Sequence, residues 1–263
     1  MRKRLTGLGY LGFGPFLGAL RADFTYRNTY GRSTNPLLNG LYTQWGVGLT
    51  ASTAIVGLKA EFEWVPLAIL RVRASYSALA YTGIAQGLGH GLTFVDAESP
   101  FDGPTLEARK GEERFQFVHR MQASLTLRFK VGVFIAFSDF EFSGWYIPEN
   151  AEPGYGYDSY YDTLIKRGAL DGTFMNRTAV LVEAWKGKGD ANFRVGVVHQ
   201  YVRAFDTGFE RSRLGGLVLF TPWHKLAGIR APTLLLASGV TLMDENRKGD
   251  FWMEFALIFN WDL

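Results

Sequence analysis

Residues 250–263, DFWMEFALIFNWDL, alternate from one end of the stretch to the other. Phe251, Met253, Phe255, Leu257, Phe259, Trp261 and Leu263 take every second position, and Glu254, Asn260 and Asp262 fall between them. A β-strand has a side-chain period of two, so one face here is wholly apolar while the other carries charge and amide. Such a long, aromatic-rich outer face suits a strand with lipid on one side and water on the other better than a strand at the edge of a soluble sheet.

The stretch resembles the C-terminal strand of bacterial outer-membrane β-barrels, which closes the barrel and usually finishes in an aromatic residue. Here Leu263 is last and Trp261 stands two before it. The resemblance is to the class and singles out no particular family. It implies an all-β fold, a transmembrane antiparallel β-barrel in the bacterial outer membrane. The implied partners are membrane lipid, lipopolysaccharide and the barrel-assembly machinery.

Composition agrees with that reading. Although 47% of the residues are hydrophobic, no run of about 18 uncharged apolar residues occurs, which argues against membrane helices. The 31 glycines suit a twisted sheet with tight turns and crowded inward positions. Cysteine is absent, which removes thiolate metal sites and disulfides. A net charge of +3 gives no reason to expect nucleic acid, and no phosphate-binding loop is present, so no cofactor is expected.

Alternation and turn chemistry together predict about 12 strands, within a range of about 10–14. They fall near 20–30, 42–52, 54–65, 68–82, 84–95, 114–129, 131–142, 174–186, 191–204, 213–223, 231–243 and 250–263. Leu20, Ala22, Phe24 and Tyr26 alternate with Arg21, Asp23, Thr25 and Arg27. Phe115, Phe117, Met121, Ala123, Leu125, Leu127 and Phe129 share one face of their strand. Arg114, Gln116, Arg120, Gln122, Ser124, Thr126 and Arg128 share the other. Three arginines on one face do not fit a soluble core. Val131, Val133, Ile135 and Phe137 read outward, then Phe140 and Phe142, which predicts a bulge near Ser138. Residues 84–95 are glycine-rich enough to be loop. The whole chain, 1–263, reads as one barrel domain. Residues 1–19 stay open between a signal remnant or plug outside its wall and a strand.

With both termini periplasmic, the predicted exterior connections are Gly31–Leu41, Asp96–Glu113, Gly144–Thr173, Asp206–Ser212 and Asp244–Gly249. Short turns, including one at Thr53, face the other way. A tight turn at Pro66 falls outside, against the trend. Gly144–Thr173 is the longest connection. It carries Glu149, Glu152, Asp158, Asp162 and Asp171 with five tyrosines, which suggests a lid over the mouth.

Candidate pore-lining residues are Lys59, Glu61, Glu63, Arg71, Arg73, Arg114, Arg120, Arg128, Arg177 and Arg194. The hairpin at Pro66 sets Lys59, Glu61 and Glu63 beside Arg71 and Arg73, ready for cross-strand pairing. Such a lining either selects solutes by charge or braces a narrow lumen. The favoured function is passive or weakly selective diffusion of small hydrophilic, preferentially anionic solutes.

The alternatives are a lipid-modifying hydrolase and a non-conducting envelope anchor. Outer-membrane phospholipases and lipid A deacylases use a His–Ser pair, which on one strand face would read His-x-Ser. Two residues beyond His90, His119, His199 and His224 stand Leu92, Met121, Tyr201 and Leu226, so no single strand carries the pair. No catalytic or metal-binding residue is assigned. The sequence does not specify an oligomeric state.

Overall fold

The computed structural model describes residues 2–13, 18–30, 34–52, 54–84, 89, 91–148, 154–158, 161–189, 191–226, 229–244 and 248–262. Of 2–13, 18–19, 225–226, 229–230 and 259–262 it describes the backbone alone. The strands in chain order are β1 (Arg2–Phe13), β2 (Gly18–Tyr30), β3 (Leu41–Ala51), β4 (Ile55–Leu67), β5 (Leu70–Tyr81), β6 (Thr93–Phe94), β7 (Gln116–Val131) and β8 (Phe134–Tyr146). They continue as β9 (Tyr155–Asp158), β10 (Thr163–Lys166), β11 (Leu170–Lys186), β12 (Asn192–Ala204), β13 (Glu210–Thr221), β14 (Lys225–Leu226), β15 (Ile229–Met243) and β16 (Phe251–Asp262). A helical turn, α1 (Gly103–Ala108), lies between β6 and β7.

The long strands pair antiparallel, each with the next along the chain: β1, β2, β3, β4, β5, β7, β8, β11, β12, β13, β15 and β16. β16 then returns to β1, with Leu5 opposite Trp261 and Gly9 opposite Leu257. The twelve strands therefore make a closed ring, the arrangement in which every backbone donor and acceptor in the membrane finds a partner within the sheet.

The predicted number agrees with this ring, but its membership differs at two places. Residues 2–13, left open between a segment outside the wall and a strand, form β1 and pair on both sides. The described residues of 84–95 contribute no wall strand. Their only regular element among the described residues is β6, which pairs with β9 in a small separate sheet. Glycine on both parities of β1 (Gly7, Gly9, Gly12) hides a period of two, which accounts for the missed strand.

Adding β1 reverses the early connections and leaves the later ones as expected. β2 finishes and β3 begins at the end where β1 starts and β16 finishes, as β4 and β5 meet there, while β3 finishes and β4 begins at the opposite end. The tight turn after Pro66 thus joins the short connections, while the longer connection between β2 and β3 moves to the same end. Both long connections, 82–115 and 147–169, leave the opposite end. Long connections lie outside the cell in barrels of this kind, and they define the mouth here.

The outward stripes are apolar. Leu20, Leu58, Phe117, Phe134 and Phe251 are each more than half exposed. On β16 the outward members Phe251 and Leu257 flank inward Trp252 and Ala256, as the alternation required. No bulge occurs at Ser138, since β8 keeps unbroken register with both β7 and β11. Ile135 and Phe137 therefore face inward, where they pack against a buried cluster of Ala179, Leu181, Val198, Leu217, Ala237 and Trp252. One side of the lumen is oily, a feature that a rule of apolar-outward could not anticipate.

Candidate functional site

The described parts of the two long connections fold together in and over the mouth. β9 and β10 form a hairpin and β6 adds a third strand. Leu92, Phe94, Phe101, Leu106, Tyr157 and Leu164 bury one another there, with Ala204 and Phe209 from the top of β12 and the following turn. Asp102 caps α1 by accepting from the Thr105 amide at 2.9 Å.

The hairpin tip points into the barrel. Tyr161 is fully buried, and its hydroxyl bonds to Ser143 at 2.7 Å and to Glu141, with Gln122 donating to it at 3.3 Å. Glu141 lies five residues below Tyr146 at the rim, roughly 17 Å along the strand. A second layer of apolar wall residues closes round the tip. Ile55, Leu79, Tyr81, Val118, Trp145, Met175 and Val202 are buried against Tyr161 and Ile165.

Both tip acids are held by the wall. Asp162 pairs with Arg211 at 2.9 Å and Arg213 at 3.4 Å from β13, and accepts from the Tyr157 hydroxyl at 2.7 Å. Its φ of 51° is a left-handed conformation that Asp tolerates better than most residues. Asp158 accepts from Tyr81 at 2.8 Å and from the Tyr161 amide at 2.8 Å. Burial pushes its carboxyl above the ordinary carboxylate range, against the pull of the Tyr161 amide, Arg120 and Tyr81. At the hairpin base Asp206 accepts from Tyr155 at 2.8 Å and pairs with Lys166 at 3.1 Å. Desolvation, helped by that bond, pushes the Tyr155 phenol up to about 12.

These contacts differ in weight. The Arg211–Asp162 pair is almost wholly buried, and removing one member of such a pair costs about 3–5 kcal/mol. Lys166 is nearly half exposed, and a pair of that kind contributes about 0–1 kcal/mol. The tip, not the base, sets the hairpin in place.

The closed ring, the apolar outer band and the polar inward face together decide the class. The chain is a bacterial outer-membrane β-barrel. No protein-family model matches it, and no curated protein does. Among solved structures the barrel is similar to the beta domain of the Bordetella autotransporter Brka, with a TM-score of 0.52 at 10% identity, covering 98% of each chain. It also matches the NanC porin at a TM-score of 0.42 and 7% identity, over 98% of this chain and 100% of that one. LpxR from Salmonella typhimurium matches at 0.40 and 10%, over the full length of both. At these identities the likeness concerns the fold alone.

The predicted pore residues divide by height in the barrel. Arg120 faces inward, with its guanidinium 5.1 Å from the Trp145 ring and its charge acting on Asp158. Arg114 lies before β7 and is exposed at the mouth. Arg128 is exposed near the opposite end, donating to the Ala68 carbonyl at 2.7 Å. Lys59 pairs with Glu61, which also meets Arg21 at 3.4 Å. Arg71 reaches Glu63 at 3.9 Å across the Pro66 hairpin, as expected, whereas Arg73 turns to Glu141 at 3.8 Å. Arg177 on β11 reaches Glu254 on β16 at 3.6 Å, and Arg194 meets Glu183 at 3.4 Å.

Sequence reading missed Arg211 and Arg213, because they straddle the predicted loop boundary at Ser212 and their shared partner, Asp162, is some fifty positions away. A histidine–serine pair assembled across strands, which the sequence left open, is present. His199 Nε2 lies 2.9 Å from Ser212 Oγ on β13, while His119 Nδ1 lies 2.7 Å from the Tyr76 hydroxyl. His90, Glu149, Glu152 and Tyr160 lie outside the described residues.

Proposed function

We propose that the barrel is a channel for small hydrophilic, preferentially anionic solutes, gated by the Tyr155–Lys166 hairpin. The observation that carries this reading is the source of the anions at the mouth. Arg211 and Arg213 hold a carboxylate that the wall does not supply, and Arg120 acts on a second one. An arginine site filled by a removable acid is equally a site for a solute carboxylate or phosphate, since guanidinium binds both well. When the hairpin withdraws, those arginines line the entrance. The acids lower in the lumen, Glu61, Glu63 and Glu141, limit the preference to a mild one.

Single-channel recording in a planar bilayer tests this. The intact protein is expected to be closed for most of the record, and deletion of the hairpin to give steady conductance with unchanged heat-modifiable migration. In that open variant Arg120→Glu should move the reversal potential in a salt gradient toward cation selectivity. A folded, hairpin-deleted protein without conductance would leave a plugged anchor as the better reading.

A further inference from the structure

The outer face carries something that a channel does not use. On β12 and β13, His199 and Ser212 both point away from the lumen, since their neighbours Val198, Gln200 and Arg211 are the buried, inward members. They sit diagonally across the strand pair, with Tyr201 opposite Ser212 and Leu214 opposite His199. Next to them on β11 and β8, Thr178, Asn176 and Ser138 also face outward. The two hydroxyls bond at 2.7 Å, and the amide donates to Ser138 at 3.0 Å while accepting from Thr178 at 3.2 Å. Thr178 is the direct partner of His199 on β11, so the polar patch is continuous. Polar side chains on a lipid-facing surface are costly and mark function more often than structure.

Their depth is fixed by what surrounds them. Just above, at the start of β13, Glu210 pairs with Arg203 at 3.4 Å and accepts from Tyr201, a charged cluster suited to the headgroup layer. Ser212 lies two residues further along, roughly 7 Å down the strand. Below it, Leu214 and Val197 are exposed and mark the hydrocarbon. That depth is where ester bonds join acyl chains to membrane lipids.

We propose that Ser212 and His199 form a catalytic dyad that hydrolyses acyl esters of lipids in the leaflet around the mouth. The imidazole Nε2 takes the Ser212 hydroxyl proton as Oγ attacks the ester carbonyl. The ester C–O bond breaks, the alkoxide leaves with that proton as an alcohol, and the acyl group stays on Ser212. Water, deprotonated by the same nitrogen, then attacks the acyl carbonyl. A free fatty acid departs and Ser212 recovers its proton. His119, bonded to the phenol of Tyr76, has no such nucleophile.

The test uses the purified full chain in detergent mixed micelles, one arm with diacyl phosphatidylethanolamine and one with lipid A, together with a fluorophosphonate label. Fatty acid should appear in at least one arm, which identifies the lipid, and an ether-linked phospholipid should remain intact. The label should map to Ser212. Ser212→Ala and His199→Asn should each lower release by about 100-fold or more while migration stays heat-modifiable. The hairpin-deleted protein should hydrolyse normally, and Ser212→Ala should leave its conductance unchanged, so this inference and the channel reading fail separately. Folded wild-type protein that releases no fatty acid in either arm and leaves Ser212 unlabelled would overturn the dyad. So would a Ser212→Ala variant of undiminished activity.

Discussion

The two halves of the lumen use the same chemistry on different supports. In the half away from the mouth, Arg27 donates to Gln44 at 2.8 Å and stacks over Tyr42, Tyr42 bonds Glu63, and Glu63 meets Arg71. Every partner there belongs to the wall, so each pair joins neighbouring strands of one rigid ring. At the mouth the arginines also belong to the wall, but Asp158 and Asp162 belong to a hairpin joined to it by loops. A bond between two wall residues can only brace. A bond between wall and hairpin can also let go, so the same guanidinium–carboxylate contact is a strut in one place and a latch in the other.

The sharpest way to break this contrast is Arg211→Met. It leaves Asp162 buried with a weakened set of partners, a loss of about 3–5 kcal/mol from the docked hairpin. Bilayer recordings should show long openings, and protease added outside cells should cut within 155–166. Adding Asp162→Asn should shorten those openings, because it removes the uncompensated buried charge while keeping an acceptor for Tyr157 and Arg213 and a residue that tolerates the φ of 51°. Openings as long in the double variant as in Arg211→Met would mean that something other than the buried charge holds the tip.

A smaller effect of a different kind is expected from Glu63→Gln. It weakens bonds to Tyr42 and Arg71, and it should cost about 1–3 kcal/mol in urea unfolding while gating stays unchanged. Altered openings in this variant would erase the distinction between strut and latch.

The smallest effect is on pH. The docked hairpin holds Asp158 with its carboxyl raised, so docking binds a proton more tightly than release does. Docking is therefore strongest below the ordinary carboxylate value of about 4 and weakens as pH rises through the raised value. Open probability should climb over that acid range, and Asp158→Asn should flatten the climb. A profile that falls with rising pH would assign the control to another group.

Much of this contrast was legible in the sequence and part of it was not. Leu20, Ala22 and Phe24 against Arg21, Asp23 and Thr25 gave both faces of β2, because lipid and water demand opposite side chains. The aromatic and acidic connection before Thr173 was readable as a lid, since tyrosines need packing and carboxylates need partners. Ile135 and Phe137 misled, because an apolar residue is equally at home in lipid and in an oily patch of lumen. The contacts of Asp162 with Arg211 and of His199 with Ser212 depend on register and on how far a hairpin dips. Neither quantity is written in local alternation.

The seam between β1 and β16 has a kinetic consequence. Every other wall contact joins strands that follow one another closely, or that are separated by one loop, whereas Leu5 meets Trp261 from the far end of the sequence. The entropy lost in closing a loop grows with its length, and non-local contacts form late. The seam should accordingly be the last contact to form, after eleven others, with two unpaired strand edges waiting until then. For that interval the nascent sheet is a template for any passing strand. How fast β1 finds β16 thus governs how much of each cohort of new chains is lost to aggregation before it becomes a barrel.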